Sequence, residues 1–161
     1  MSLPSPGAQV RRVLNAPVER VFAAFGDAKL VAQWLRPAPD VKLAVLALDF
    51  RPGGAYRFAY ETPDGQRMGV GGVYREIEPP SRIVFSWLIA EPDPHAGIES
   101  EVTVTLSQRG ERTELFIHHA KFDRADADSR HEQGWHGALT LLEPLLADAG
   151  ATAVHPTRNK A

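Results

Sequence analysis

A chain of 161 residues with 43% apolar and 24% charged positions has the length and composition of one globular domain able to bury a core. Its net charge of -2 leaves no broad basic field for a phosphate backbone, so nucleic acid is not an expected partner. The absence of cysteine excludes disulfides, thiolate nucleophiles and sulfur-ligated metals, and with no apolar run near the roughly 18 residues of a membrane span and no signal-like start in MSLPSPGAQ, a cytoplasmic protein is expected.

The chain begins with a Pro-bearing segment, residues 1–7, expected to be flexible, and then AQVRRVL reads as a strand. In NAPVERVFAAFGD, Asn15 is placed as an N-cap with Pro17 near the first turn, ahead of an apolar stripe of Val18, Val21, Phe22 and Phe25. A second short helix, AKLVAQWL, should stop before Pro37. From residue 41 to 120 the hydrophobic period changes to two. VKLAVLALDF, AYRFAY, RMGVGGVYREI, RIVFSWLI, ESEVTVTL and RTELFIHHA are separated by Gly, Pro and Asp turn residues and a Pro-rich loop around 92 to 97. Short strands at regular spacing with such turns imply an antiparallel sheet.

A helix is expected from about Asp126 to Ala149, with Trp135, Ala138, Leu139, Leu142, Leu145, Leu146 and Ala149 on one broad apolar face. Pro144 falls opposite Trp135, on the solvent side, where it removes one backbone hydrogen bond and bends the helix. The acidic run Asp123, Asp126 and Asp128 suits the positive end of the helix dipole. His131 and His136 are five apart rather than four, so they diverge by roughly 140° and cannot share one ion from a straight helix. No metal site is expected. The remainder, 150–161, reads as a flexible tail, leaving one domain over 8–149. One strand, two helices, six strands and a long amphipathic helix describe an α+β layer fold with a curved sheet around the last helix.

Five segments in this order, LNAPVERVFAAFGDAKLVAQWLRP, LDFRPGGAYRFAY, GGVYREIEPPSRIVFSW, TELFIHHAKF and HEQGWHGALTLLEPLL, resemble the Hsp90 ATPase activator homologue-like (AHSA1-like) family of the START-like, Bet v 1-like (SRPBCC) superfamily. The resemblance covers about residues 8 to 148. It implies a helix-grip fold: a seven-stranded antiparallel sheet wrapped around the C-terminal helix, enclosing a pocket for apolar or amphipathic small molecules. In the eukaryotic co-chaperone a separate N-terminal domain carries an Asn- and Trp-rich motif tied to chaperone activation. That motif does not occur in this sequence, so direct stimulation of an Hsp90 ATPase is not expected.

Trp135 matches the family's Gly-Trp at the start of the last helix, and Trp87 the Trp that ends its fifth strand. Both read either as pocket walls or as core. Tyr56, Phe58 and Tyr60 alternate onto one strand face, and Leu139 lies on the inner face of the helix. His119, matching the family's histidine after the seventh strand, shares a face with Leu115 and Ile117 and points inward. It reads as a structural hydrogen-bonder, or with His131 as an imidazole pair at one end of the cavity. His118 and His136 are placed toward solvent. These eight residues, Tyr56, Phe58, Tyr60, Trp87, His119, His131, Trp135 and Leu139, form the expected ligand-binding set. Gly53 and Gly54 suit a turn or bulge rather than a phosphate loop, since no Lys-Ser or Lys-Thr follows. Ser86, Ser100 and Ser107 sit in strands without a nucleophile elbow.

Three functions are carried forward. The first is a binding protein for an apolar or amphipathic small molecule, needing no cofactor. The second is a cyclase- or aromatase-like enzyme in the same cavity, drawing on His119, His131, Tyr56 and Tyr60. The third is a protein-interaction adaptor, which predicts an exposed apolar patch on the outer sheet face or on the first helices, around Trp34 and Leu35. A homodimer formed edge to edge is compatible with all three.

Overall fold

The computed structural model describes residues 7–90, 99–120 and 125–154, with side chains of the last helix from Arg130 to Ala147. Seven strands, β1 (Ala8–Leu14), β2 (Lys42–Leu48), β3 (Ala55–Glu61), β4 (Arg67–Glu78), β5 (Arg82–Ile89), β6 (Glu99–Arg109) and β7 (Arg112–Ala120), make one sheet in the order β1-β7-β6-β5-β4-β3-β2. Every neighbouring pair is antiparallel. Helices α1 (Val18–Gly26) and α2 (Ala28–Trp34) carry the chain from one sheet edge, β1, to the other, β2. The long helix α3 (Ala125–Val154) packs against β1, β7 and α2. This is the helix-grip arrangement, an α+β fold of a curved sheet around its C-terminal helix.

Period-two patterning explains the inner face. On β6 the inward set is Ser100, Val102, Val104 and Leu106, and on β7 it is Thr113, Leu115, Ile117 and His119, all buried. Their partners in register, such as Val104 with Ile117 and Leu106 with Leu115, stack these residues into one core layer. α3 closes that layer with Leu139, Leu142 and Leu146. Pro144 is inside α3 and exposed, on the side away from the buried Trp135.

Some local expectations are corrected. The cap of α1 is Pro17, not Asn15, and no side chain of that turn caps it; the Val18 amide donates instead to Gln108 Oε1 from β6, at 2.8 Å. A long-range partner thus satisfies the first free N-H, which a local sequence rule does not see. Asp27 does cap α2, accepting from the Lys29 and Leu30 amides. Helix α3 runs on to Val154, so the first residues of the expected tail belong to it. The first six residues, the Pro-rich loop, Asp123 and the side chains of Asp126 and Asp128 lie outside the described residues.

The turn after β2 uses its two glycines for different reasons. Gly53 has φ +85, the left-handed region that favours glycine. Gly54 has no such φ, but a Cβ there would overlap the Asp49 carbonyl, so the requirement is space.

Candidate functional site

A cavity of about 870 Å³ lies between the open end of the sheet and α3, in the range of roughly 300–1,000 Å³ usual for small-molecule sites. Its sheet wall is made by Tyr60 of β3, Met68 of β4, and Trp87 and Ile89 of β5. Its helix wall is His131, Gly134, Trp135 and Ala138, one stripe of α3. The third side is the segment after α2, with Leu35, Arg36, Pro37 and Val41. Exposed Gln66, Arg67 and Gln133 form part of the rim.

The third wall is held by specific bonds. Tyr60 donates its O-H to the Leu35 carbonyl at 2.7 Å, tying β3 to the end of α2. Arg36 folds back on its own loop: Nε donates to the Gln33 carbonyl at 3.1 Å and Nη1 to the carbonyls of Pro39 and Val41 at 2.7 and 3.0 Å. From the opposite side, α3 comes so close that a Cβ on Gly137 would overlap the Pro37 carbonyl oxygen, whereas at Gly134 the nearest atom would be Pro37 Cβ, at 3.9 Å. Gly137 therefore sets the approach of helix to loop. Gly134 faces open space beside it.

Behind the helix wall lies a buried polar chain. The Trp135 indole N-H donates to His119 Nδ1 at 3.1 Å, so the proton of the neutral ring sits on Nε2, which donates to Ser100 Oγ at 2.7 Å. Ser100 in turn donates to the Trp87 carbonyl at 3.2 Å. Burial, and next the charge that His131 and then His118 would present, hold the His119 pKa well below its ordinary value. The rings of His119 and His131 are 4.5 Å apart in an edge arrangement, and Trp87 packs on Trp135 at 5.8 Å.

Of the eight residues expected to form the site, the structure brings Tyr60, Trp87, His131 and Trp135 onto the cavity wall. The other four are core. Tyr56 and Phe58 pack on each other at 4.7 Å around a gap of only about 10 Å³, and the Tyr56 O-H is bound to the Ser86 carbonyl. His119 and Leu139 are fully buried behind the wall. Burial raises the pKa of Tyr56 and of Tyr60 above their ordinary value, so both phenols stay protonated.

The pairing of two histidines in one cavity is not assembled: His131 faces it, while His119 sits behind with both ring nitrogens engaged. His136 points outward to Arg12, which also reaches Thr140 and Glu143 and so pins α3 to β1. Of the two places expected for an exposed apolar patch, the first helices are corrected, while on the strands Val13, Leu46, Val73 and Leu88 are exposed. Trp34 is fully buried, its N-H on the Ala24 carbonyl, and Leu35 faces the cavity. Helix α2 packs against α1, α3 and β2, so its apolar residues are covered from several sides.

Arg36, Met68, Gly134 and Gln133 were not foreseen as wall residues. The glycines of the last helix carried a partial signal, because a helical glycine costs about 1 kcal/mol against alanine and the one at Gly137 is required by the close approach of Pro37.

Comparison with known proteins agrees with this fold. Among curated proteins no match is found. A crystal structure of the Chromobacterium violaceum protein CV1439 is 31% identical, with 86% of this chain and 94% of that one covered and a TM-score of 0.78. An AHSA1 protein from Silicibacter pomeroyi is 26% identical over 87% of this chain and 98% of its own, with a TM-score of 0.75. DynU16, from the dynemicin biosynthetic locus, shares the fold at 24% identity and a TM-score of 0.67, over 89% of this chain and 48% of that one. The family described as Activator of Hsp90 ATPase homolog 1-like protein matches residues 15–147, from the turn before α1 to the end of the described face of α3, and the chain belongs to that family.

Proposed function

We propose that this protein binds an apolar or amphipathic small molecule in the space between its sheet and α3. The observation that carries this reading is the composition of a cavity of about 870 Å³: two indoles, Trp87 and Trp135, with Met68, Ile89 and Ala138, against a few polar groups. Such a surface gives a ligand apolar contact over most of its area and orientation from the remainder. A pocket whose walls are braced by Tyr60, Arg36 and the close contact at Gly137 needs little reorganisation when it fills.

Titration with the neutral dye N-phenyl-1-naphthylamine, followed by dye emission and by quenching of the wall tryptophans, tests it. Saturable one-to-one binding is expected. Gly134→Trp, which places an indole in open space and favours the helix, is expected to weaken it about tenfold or more, a loss of at least about 1.4 kcal/mol. Absence of saturable binding, or an affinity unchanged in a folded Gly134→Trp protein, overturns the reading.

A further inference from the structure

Arg36 is a cation on the cavity wall whose hydrogen-bond partners among the described residues are carbonyl oxygens and not a carboxylate. Those carbonyls orient the guanidinium without neutralising it, and its Nε and Nη1 positions are engaged with the loop, so the group is held in place rather than swinging in solvent. Two more arginines line the same cavity. Arg67 meets Glu61 only at 3.9 Å and is 81% exposed at the rim, and the Arg130 guanidinium reaches across to Met68 Sδ, also 3.9 Å away. No described lining residue is an aspartate or glutamate, although acids outnumber Lys and Arg by 20 to 18 in the chain as a whole. A cation that is partly desolvated and lacks a counter-charge favours an anion beside it more strongly than one in water.

We infer that the ligand of this cavity carries an anionic head group, of carboxylate or sulfonate type, set against Arg36 at the third wall, with its apolar body between Trp87 and Trp135. The inference rests on the cavity reading above and adds the charge class of the ligand. Arg67 adds positive charge at the mouth, and Arg36 receives the anion. Selection against neutral molecules of the same shape follows, because a neutral molecule leaves Arg36 without a counter-charge in a drier environment.

The test uses two dyes with the same anilinonaphthalene body, 8-anilinonaphthalene-1-sulfonate and the neutral N-phenyl-1-naphthylamine, on the full chain and on Arg36→Met. Any loss shared by the two dyes measures the wall contacts that Arg36 makes, and the substitution is expected to weaken the sulfonate about tenfold more than the neutral dye, the size of one charge-assisted hydrogen bond. Raising salt from about 0.05 to 0.5 M is expected to weaken the sulfonate several-fold in the unaltered protein and to leave the neutral dye unchanged. If both dyes bind and both respond alike to Arg36→Met and to salt, the anion inference falls and the cavity reading stands. If neither dye binds, both fall. Should Arg36→Met fail to fold, Arg36→Gln, which removes the charge but keeps a donor for the loop carbonyls, decides by the same comparison, with a larger loss for the sulfonate expected and equal responses overturning the inference.

Discussion

Replacement of His119 by alanine is expected to remove about 3–5 kcal/mol of folding stability, a large part of the 5–15 kcal/mol of an ordinary domain. Two effects add. The fully buried ring leaves a cavity in the layer between β6, β7 and α3, and the Trp135 N-H loses its acceptor in a site water does not reach. Urea denaturation at neutral pH measures the loss, and a change below about 1 kcal/mol would show that the polar chain is not what holds α3 to the sheet.

The same residue predicts how stability depends on pH. The folded-state pKa of His119 is depressed, chiefly by burial, whereas in the unfolded chain it titrates near 6.5. Below pH 6.5 the unfolded state therefore binds a proton that the folded state refuses. Stability is complete above that pH and falls as pH drops through the window beneath it, by up to about 1.4 kcal/mol per pH unit, until the folded pKa is reached. Comparing urea midpoints at about pH 7.5 and 5.5 for the unaltered protein and for His119→Gln isolates the contribution: the variant is expected to lose it. Equal slopes in the two proteins would mean that another group sets the acid response.

Gly137→Ala and Gly134→Ala are expected to move stability in opposite directions. Both replace glycine inside α3, and on helix propensity alone each gains about 0.5–1 kcal/mol. At Gly134 the new methyl meets ordinary contact, so the gain is realised. At Gly137 it overlaps the backbone carbonyl of Pro37, and the helix or the loop after α2 must move, at a net cost of about 1–3 kcal/mol. That loop carries Leu35 and Arg36, so the displacement also reaches the cavity wall. Thermal or urea midpoints of the two variants check the pair. The same sign for both would show that the approach at Gly137 is not constrained as described.

The sheet was legible from the chain because strand periodicity is a local property. Inward Leu115, Ile117 and His119 were assignable from alternation, and Trp135, Leu139 and Leu142 from helical spacing. The cap of α1 was not, because its partner Gln108 is 90 residues away. The expected patch at Trp34 failed for a related reason. Amphipathicity says which side of a helix is apolar, and cannot say that a second helix and a sheet cover it from two directions.

The site divides along the same line. Tyr56, Phe58 and Tyr60 are equivalent by sequence, three aromatic residues on one face of one strand, yet only Tyr60 borders the cavity. His119 and His131 are both inward and their rings touch, yet His119 is locked behind the wall in a chain of hydrogen bonds and His131 lines the cavity. The amino-acid pattern by itself determined an antiparallel sheet layered on a long C-terminal helix and the inward faces of its strands, since these follow from periods of 2 and 3.6 and from turn chemistry, and the family resemblance implied the seven-stranded helix-grip arrangement. Only the tertiary structure decided which inward residues are packed core and which line empty volume. That outcome depends on how far α3 stands from the sheet, a distance set jointly by Gly137 on Pro37, Tyr60 on Leu35 and Trp135 on His119, and by none of them alone.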